Sequence, residues 1–285
     1  MVDVSAVIIT LNEESCIEKA LGSISWCSEI IVIDSGSTDR TVEICQRYGC
    51  KVIHRDFSGF GDQKRFAVRQ AKHNWVLSLD ADEVVTPELS QEIQVELSSN
   101  GNGETRGYHI PITLVLWDGL IRRRNRLTKP KLRLFDQRFA GFTDDYVHES
   151  VVTSRQSKQL QSPIYHYSYA TISDYFQKFN LYTSLAAEHG AKAGRKFSVV
   201  KSLVRFPFEF FKLYLVRGFV LDGWCGFAWA LFSALYPVVK YLKIHEHLQA
   251  GSQVERSVTS GSIPSYVLSR RFGKSTPERT ATSGV

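Results

Sequence analysis

The sequence has little of what staples small secreted domains or zinc modules. Its 285 residues include five cysteines, Cys16, Cys27, Cys45, Cys50 and Cys225. The number is odd and no two form a C-x-x-C pair, which speaks against a disulfide framework or a zinc site and for a reducing compartment. A signal peptide is not expected either. Asp3 stands where a signal peptide carries its positive charge, and the apolar run Val4–Thr10 is too short for the segment that should follow. A cytoplasmic protein is expected. Neither G-x-G-x-x-G nor G-x-x-x-x-G-K-[ST] follows the first apolar run, so a dinucleotide fingerprint and a P-loop are unsupported. Any phosphate charge must then be met by metal and by basic side chains. No internal repeat is present.

What is there reads as a globular α/β protein. Hydrophobic residues make up 43% and charged residues 22%, enough to build a core. The length suits one large domain, or one with an appendage. The net charge of +6 is compatible with anionic substrates, a membrane surface or nucleic acid. Residues 4–9 form a nearly continuous β-branched run, as expected of a strand buried on both faces. Residues 12–25 read as a helix with Asn12 as its cap. A second strand follows at 29–34, then a helix at 41–48 capped by Ser37 or Thr38. A short strand at 51–54, a helix at 61–72 and a strand at 75–80 come next. Thr86 and Pro87 open a further helix, residues 108–117 return to strand character, and a helix starts near Ser173. Strands alternating with helices imply a mainly parallel sheet that binds ligands at the carboxyl ends of its strands.

The chemistry-bearing residues sit at those ends. Leu79-Asp80-Ala81-Asp82-Glu83 places two carboxylates where both can reach a divalent cation. Oxygen ligands suit Mg²⁺ or Mn²⁺, which bind through one or two carboxylates plus substrate phosphates. An acidic turn is the plain alternative. Ile33-Asp34-Ser35-Gly36-Ser37-Thr38-Asp39 ends a strand in a carboxylate and a small polar loop. Asp34 can accept hydrogen bonds from a base or ribose; the alternative is a turn with Asp39 near a helix start.

Taken together, Val7-Ile-Ile-Thr-Leu-Asn-Glu-Glu, Ile33-Asp-Ser-Gly-Ser-Thr-Asp and Leu79-Asp-Ala-Asp-Glu resemble, in order and spacing, the family 2 glycosyltransferases. Those are GT-A fold enzymes that invert the anomeric carbon. Gln63-Lys64, Lys131-Leu-Arg-Leu-Phe135, Val147-His-Glu149 and Arg217-Gly-Phe-Val-Leu-Asp-Gly223 extend the resemblance to the bacterial lipopolysaccharide-core β-glucosyltransferases, over residues 1–245. The resemblance implies a UDP-sugar donor, Mg²⁺ or Mn²⁺, and a GT-A mixed, mainly parallel sheet with a C-terminal helical region. It implies that Thr10, Asn12 and Glu13 line the uridine pocket, with Lys64 in the donor-nucleotide site. Asp34 meets uracil or ribose, Asp80 lies at the ribose and metal, and Asp82 coordinates the metal. An inverting displacement needs a base for the acceptor hydroxyl. Asp144, Asp145 and Glu149 are the candidates; Glu149 is favoured, with Asp145 the runner-up. His148 is either a third metal ligand or positions Glu149.

The segment 118–138 carries eight basic residues against two acidic ones. It reads as a solvated loop or as the site that meets a diphosphate or phosphorylated acceptor. Lys131 and Arg133 share one face of a strand and are singled out for phosphate contact. No aromatics interleave the arginines, so nucleic acid is not expected. Residues 197–241 are rich in Phe, Leu, Trp and Tyr, which fits helices lying at a membrane interface; a span across the membrane and a helical subdomain packed on the catalytic core or on a second subunit are the alternatives. The expected division is a catalytic domain at 1–170, a helical, membrane-associated region at 171–248 and a mobile tail at 249–285. The expected function is transfer of a hexose, glucose being favoured, from a UDP-sugar to a sugar on a lipid-linked glycan such as lipopolysaccharide core. This would take place at the inner face of the cytoplasmic membrane, with a homodimer an open possibility. Its rivals are a nucleotidyltransferase, for which a glycine-rich, lysine-bearing loop is lacking, and a non-catalytic nucleotide-sugar-binding or membrane scaffold protein.

Overall fold

A computed structural model describes residues 2–100, 104–117, 119–121, 129–143, 150–169, 171–194 and 199–259. The chain forms two compact units, one of Met1–Tyr175 with Leu213–Trp229, the other of Phe176–Lys212 with Ala230–Val285.

The first unit is built on a seven-stranded sheet. Strands β1 (Val4–Thr10), β2 (Glu29–Asp34), β3 (Lys51–His54) and β4 (Trp75–Asp80) are parallel, in the order β4-β1-β2-β3. Beyond β4 lie β9 (Lys131–Asp136), antiparallel, then β6 (Thr105–Ile110) and the edge strand β12 (Gln156–Gln159). Side chains alternate between two apolar layers. Val4, Ala6 and Ile8 of β1 join the larger core under α1 (Ile17–Ser23) and α4 (Pro87–Ser99), while Val7 joins a smaller one under α3 (Phe60–Arg69). A second sheet of four strands, β5 (Glu83–Val85), β13 (Ile164–Tyr169), β7 (Ile112–Leu116) and β8 (Gly119–Ile121), stands beside the end of β4. A small pair, β10 (Ala140–Phe142) and β11 (Val151–Thr153), completes the strands.

The α/β class, the mainly parallel sheet and the helical C-terminal region are those expected. Local departures have physical causes. The stretch 108–117, expected as one strand, is two strands in different sheets, because Pro111 has no N–H to continue a ladder. The first helix begins at Ile17 rather than Asn12. Asn12 is left-handed (φ 55°), and its Oδ1 accepts from the Thr38 N–H (2.8 Å) instead of capping a helix. Neither Ser37 nor Thr38 caps α2 (Thr41–Arg47); the Asp39 carboxylate accepts from the Thr41 N–H at 3.0 Å in that role. The helix after Thr86 is capped as its sequence predicts, with Thr86 Oγ1 accepting from the Leu89 N–H.

The second unit holds most of α5 (Ile172–Lys192), α6 (Val199–Phe211) and the larger part of α7 (Gly223–Thr259). Phe176 and Phe232 meet edge to face there, and Lys243 Nζ donates to Asn180, Thr183 and Ser184 of α5. Phe219–Gln249 is long and apolar enough to cross a membrane by length and composition, with a mean hydropathy of 1.3. Residues 260–285 of the expected tail lie outside the described residues.

Candidate active site

Strand register brings the first set of predicted residues into one row. Thr10 pairs with Asp34 across β1 and β2, and Ile9 with Asp80 across β1 and β4. Three carboxyl ends therefore open on the same edge, where a parallel sheet leaves room for a ligand. Thr10 is buried, and among the described residues its Oγ1 has no hydrogen-bond partner.

The loops after β1 and β2 are latched to each other. The Asn12 N–H donates to Ser37 Oγ (2.9 Å), the Glu13 N–H to Thr41 Oγ1 (2.8 Å) and the Glu14 N–H to Asp39 Oδ2 (3.1 Å). The Arg40 N–H donates back to Glu14 Oε2. Asp34 is buried, and its carboxylate accepts from the N–H groups of Gly36 and Ser37, each at 3.0 Å. Gly36 makes this turn at φ +99°, a conformation open to glycine. Asp34 and Asn12 thus shape the rim of the site through the second loop.

At the end of β4 the two carboxylates separate. Asp80 faces cations: Lys64 Nζ lies 2.8 Å from Oδ1 and Arg133 Nη2 lies 2.9 Å from Oδ2. Arg133 is buried, and the same Nη2 reaches Glu83 Oε1 at 2.6 Å. Glu83 Oε2 in turn accepts from the Asp80 N–H. Burial works against ionising Asp80, but the charges of Arg133 and Lys64 outweigh it and hold its carboxyl far below the usual range. Burial pushes Glu83 the other way, upward. Asp82 turns to a different partner, His166 of β13, whose Nε2 lies 3.1 Å from Asp82 Oδ2. Burial disfavours the imidazolium, yet the hydrogen bond and charge of Asp82 prevail and raise the His166 pKa.

Lys131 and Arg133 share a face of β9, as their spacing predicts. Both line a cavity of about 320 Å³ that also takes in Lys64, Asp80 and Lys129. Desolvation and the neighbouring Arg133 lower the Lys131 pKa. Asp144, Asp145, His148 and Glu149 lie outside the described residues, as do Arg122, Arg123, Arg124 and Arg126.

Glu83 and His166 enter the site without having been singled out from sequence. Glu83 adjoins the acidic motif, and its role shows only once Arg133 is seen beneath it. His166 lies 84 residues from Asp82 and carries no local signal; the pairing of β13 with β5, His166 opposite Glu83, brings it in. Among the described residues no group of three or more His, Cys, Asp or Glu is arranged to hold a metal. Asp82 and His166 converge as a pair, one carboxylate oxygen and one imidazole nitrogen, a donor set that fits a divalent cation completing its shell with phosphate oxygens and water.

Comparison with known proteins assigns the chain. The description "Glycosyl transferase family 2" matches residues 5–103, the part that carries β1 through the Asp80–Asp82 turn. An uncharacterized glycosyltransferase of Rickettsia bellii is 32% identical over 261 residues, covering 85% of this chain and 86% of the relative. The lipopolysaccharide core biosynthesis glycosyltransferase LpsC of Rhizobium meliloti is 29% identical, covering 85% and 92%. Among solved structures, S. aureus TarS 1–349 superposes with a TM-score of 0.44 at 16% identity, covering 91% and 92%. With the sequence similarity spanning nearly the whole length of its relatives, the chain belongs to glycosyltransferase family 2, on the α/β fold described above.

Proposed function

We propose that this glycosyltransferase moves a hexose, glucose in the favoured case, from a UDP-sugar to a sugar of a lipid-linked glycan such as lipopolysaccharide core, with inversion. One observation carries the reading. The end of β4 presents two carboxylates with different partners, Asp80 between Lys64 and Arg133, and Asp82 against His166. In this reading Lys64, Lys131 and Arg133 form the basic side that meets the diphosphate, and Thr10, Asn12, Glu13 and Asp34 border the nucleoside. The buried, unpartnered Thr10 hydroxyl supports this placement, since a ligand would satisfy it.

Asp82 and His166 would hold Mg²⁺ or Mn²⁺, with Asp80 beside them. Such a cation, when bound, supplies Lewis-acid stabilisation of the negative charge on the departing diphosphate. The chain's own cations act in the same direction, aimed at that charge from a partly buried site. Glu149, with Asp145 as the alternative, takes the role of base for the acceptor hydroxyl on the strength of the family resemblance.

Other features support the proposed acceptor and location. LpsC, similar over most of the chain, is a lipopolysaccharide core enzyme by name. In the first unit Leu215, Val216, Val220, Leu221 and Trp224 are exposed, and in the second Val204, Phe208 and Phe211 are exposed along α6 at helical spacing. With the net charge of +6, these support a peripheral position on the inner face of the cytoplasmic membrane. The test is UDP release from a panel of UDP-sugars, with and without Mn²⁺ or Mg²⁺, on wild type and Asp82→Ala. Metal-dependent release with one preferred sugar, lost in the variant, is the expected result. Full turnover by Asp82→Ala would overturn the role given to the acidic pair.

A further inference from the structure

Two cavities of opposite chemistry flank the Asp80–Asp82 turn. The one that includes Asp80 is basic, lined by Lys64, Lys131 and Arg133. The one that includes Asp82, of about 190 Å³, is walled by Trp117, Tyr167 and Tyr169, with Lys19 and Ser15 at its polar side. Sites for drug-sized ligands run to roughly 300–1,000 Å³, so this second cavity is too small for a nucleoside diphosphate. It offers an anion little beyond one lysine.

Its walls are held in place. The Tyr167 N–H donates to the Asp82 carbonyl (2.8 Å), tying β13 to the acidic turn. Lys19 Nζ sits 5.4 Å from the centre of the Tyr167 ring, a cation–π distance. Trp117 stacks on Trp224 with ring centres 4.7 Å apart and planes within 7° of parallel. Trp117 also has φ 55°, a left-handed conformation that a bulky aromatic rarely adopts and that persists only where its surroundings hold it. Behind it, Cys225 is buried against the Leu116 carbonyl, so the Trp224 segment backs the wall. An aromatic box with a few polar groups, opening beside a carboxylate, matches a ring with apolar C–H faces and a hydroxyl rim. Aromatic faces are electron-rich and attract such C–H groups, while the polar groups fix orientation.

We infer that this aromatic cavity beside Asp82 seats the pyranose ring of a saccharide, with Trp117 and Tyr167 against its C–H faces and Lys19 and Ser15 at its hydroxyls. The inference rests on the reading of the site as a UDP-sugar transferase. It goes further by naming the side chains that hold the sugar. The ring belongs either to the donor hexose or to the acceptor glycan, and the experiment separates them.

Saturation-transfer NMR on the full chain would be run with UDP, UDP-glucose plus Mn²⁺-free Mg²⁺, and a panel of methyl hexosides and heptosides. The proteins are wild type, Trp117→Ala, Trp117→Phe, Tyr167→Ala and Lys19→Ala. Thermal unfolding checks that each variant folds, with Trp117→Phe and Lys19→Ala as the mild members of the set. Sugar-ring protons should saturate in wild type. Trp117→Ala and Tyr167→Ala should weaken saccharide binding by about tenfold, with Trp117→Phe keeping most of it and UDP affinity unchanged. A loss confined to UDP-glucose relative to UDP assigns the donor hexose; a loss confined to the methyl glycosides assigns the acceptor. UDP binding retained with saccharide binding unaltered in every variant overturns the inference alone. Failure of the wild type to bind UDP or UDP-glucose overturns the reading of the site, and the inference with it.

Discussion

Replacing Arg133 with leucine tests whether the site is carried by a buried ionic core. The guanidinium is nearly inaccessible, with 5% of its side chain exposed, and one nitrogen serves Asp80 at 2.9 Å and Glu83 at 2.6 Å. Removing it leaves two carboxylates next to each other with Lys64 as the nearby cation. Breaking a buried pair from one side costs about 3–5 kcal/mol, because the remaining charge has lost its compensation. That is a large share of a typical folding free energy of about 5–15 kcal/mol. With a urea slope of about 3 kcal/mol per molar, the midpoint should fall by roughly 1–1.7 M. Arg133 Nε is itself buried without a partner among the described residues, so the intact pair adds less net stability than its removal from one side takes away. The double variant Glu83→Leu/Arg133→Leu should therefore be more stable than Arg133→Leu alone, since an apolar pair replaces an orphaned carboxylate. The assay is equilibrium urea unfolding followed by circular dichroism. A midpoint shift in Arg133→Leu worth less than about 1 kcal/mol, or a double variant that simply adds two losses, would refute the reasoning.

Three other perturbations follow from the packing. Asp136 is fully buried between Arg106 (2.8 Å) and Arg138 (2.7 Å). Burial pushes its carboxyl up, but the Arg138 hydrogen bonds and charge outweigh that and hold it below the usual carboxylate range. Its contribution to stability is thus complete above the unfolded value of about 3.9 and is lost as pH falls through the lower folded value. Asp136→Asn should lower the urea midpoint at neutral pH and flatten its decline between about pH 4 and pH 2; an equally steep decline would count against the assignment. A Cβ at Gly119 would stand 2.5 Å from Cys225 Sγ, so Gly119→Ala should cost about 1–3 kcal/mol in thermal unfolding, with partial recovery on adding Cys225→Ala. Gly36→Ala, forced to φ +99°, should destabilise by about 1–2 kcal/mol and weaken UDP binding in calorimetry, because Asp34 depends on that turn.

What could be seen in advance and what could not divides along sequence distance. Asp34, Asp80 and Asp82 follow apolar strands directly, and a parallel sheet must expose its strand ends, so the pattern of β1 to β4 is enough to put them on one edge. The face shared by Lys131 and Arg133 followed from strand alternation alone. The partners of these residues obey no local rule. Arg133 reaches Asp80 because β9 runs antiparallel beside β4, and His166 reaches Asp82 because β13 pairs with β5. Both pairings are choices of register across 50 residues or more, settled by which strands bury best together. The conformation of Asn12 has the same origin, since its short polar side chain accepts from the Thr38 N–H of the next loop in place of a helix N–H. The residues that hold the acidic turn in shape, Arg133, Glu83 and His166, are thus long-range contributions to a short-range motif. Relatives that keep the β1–β4 motifs while changing β9 or β13 should retain the family chemistry and differ in how firmly the second carboxylate is aimed. Measuring UDP affinity in His166→Ala beside Asp82→Ala checks this: the two should lose metal-dependent binding together, and a His166 variant with undiminished metal-dependent affinity would separate the histidine from the site.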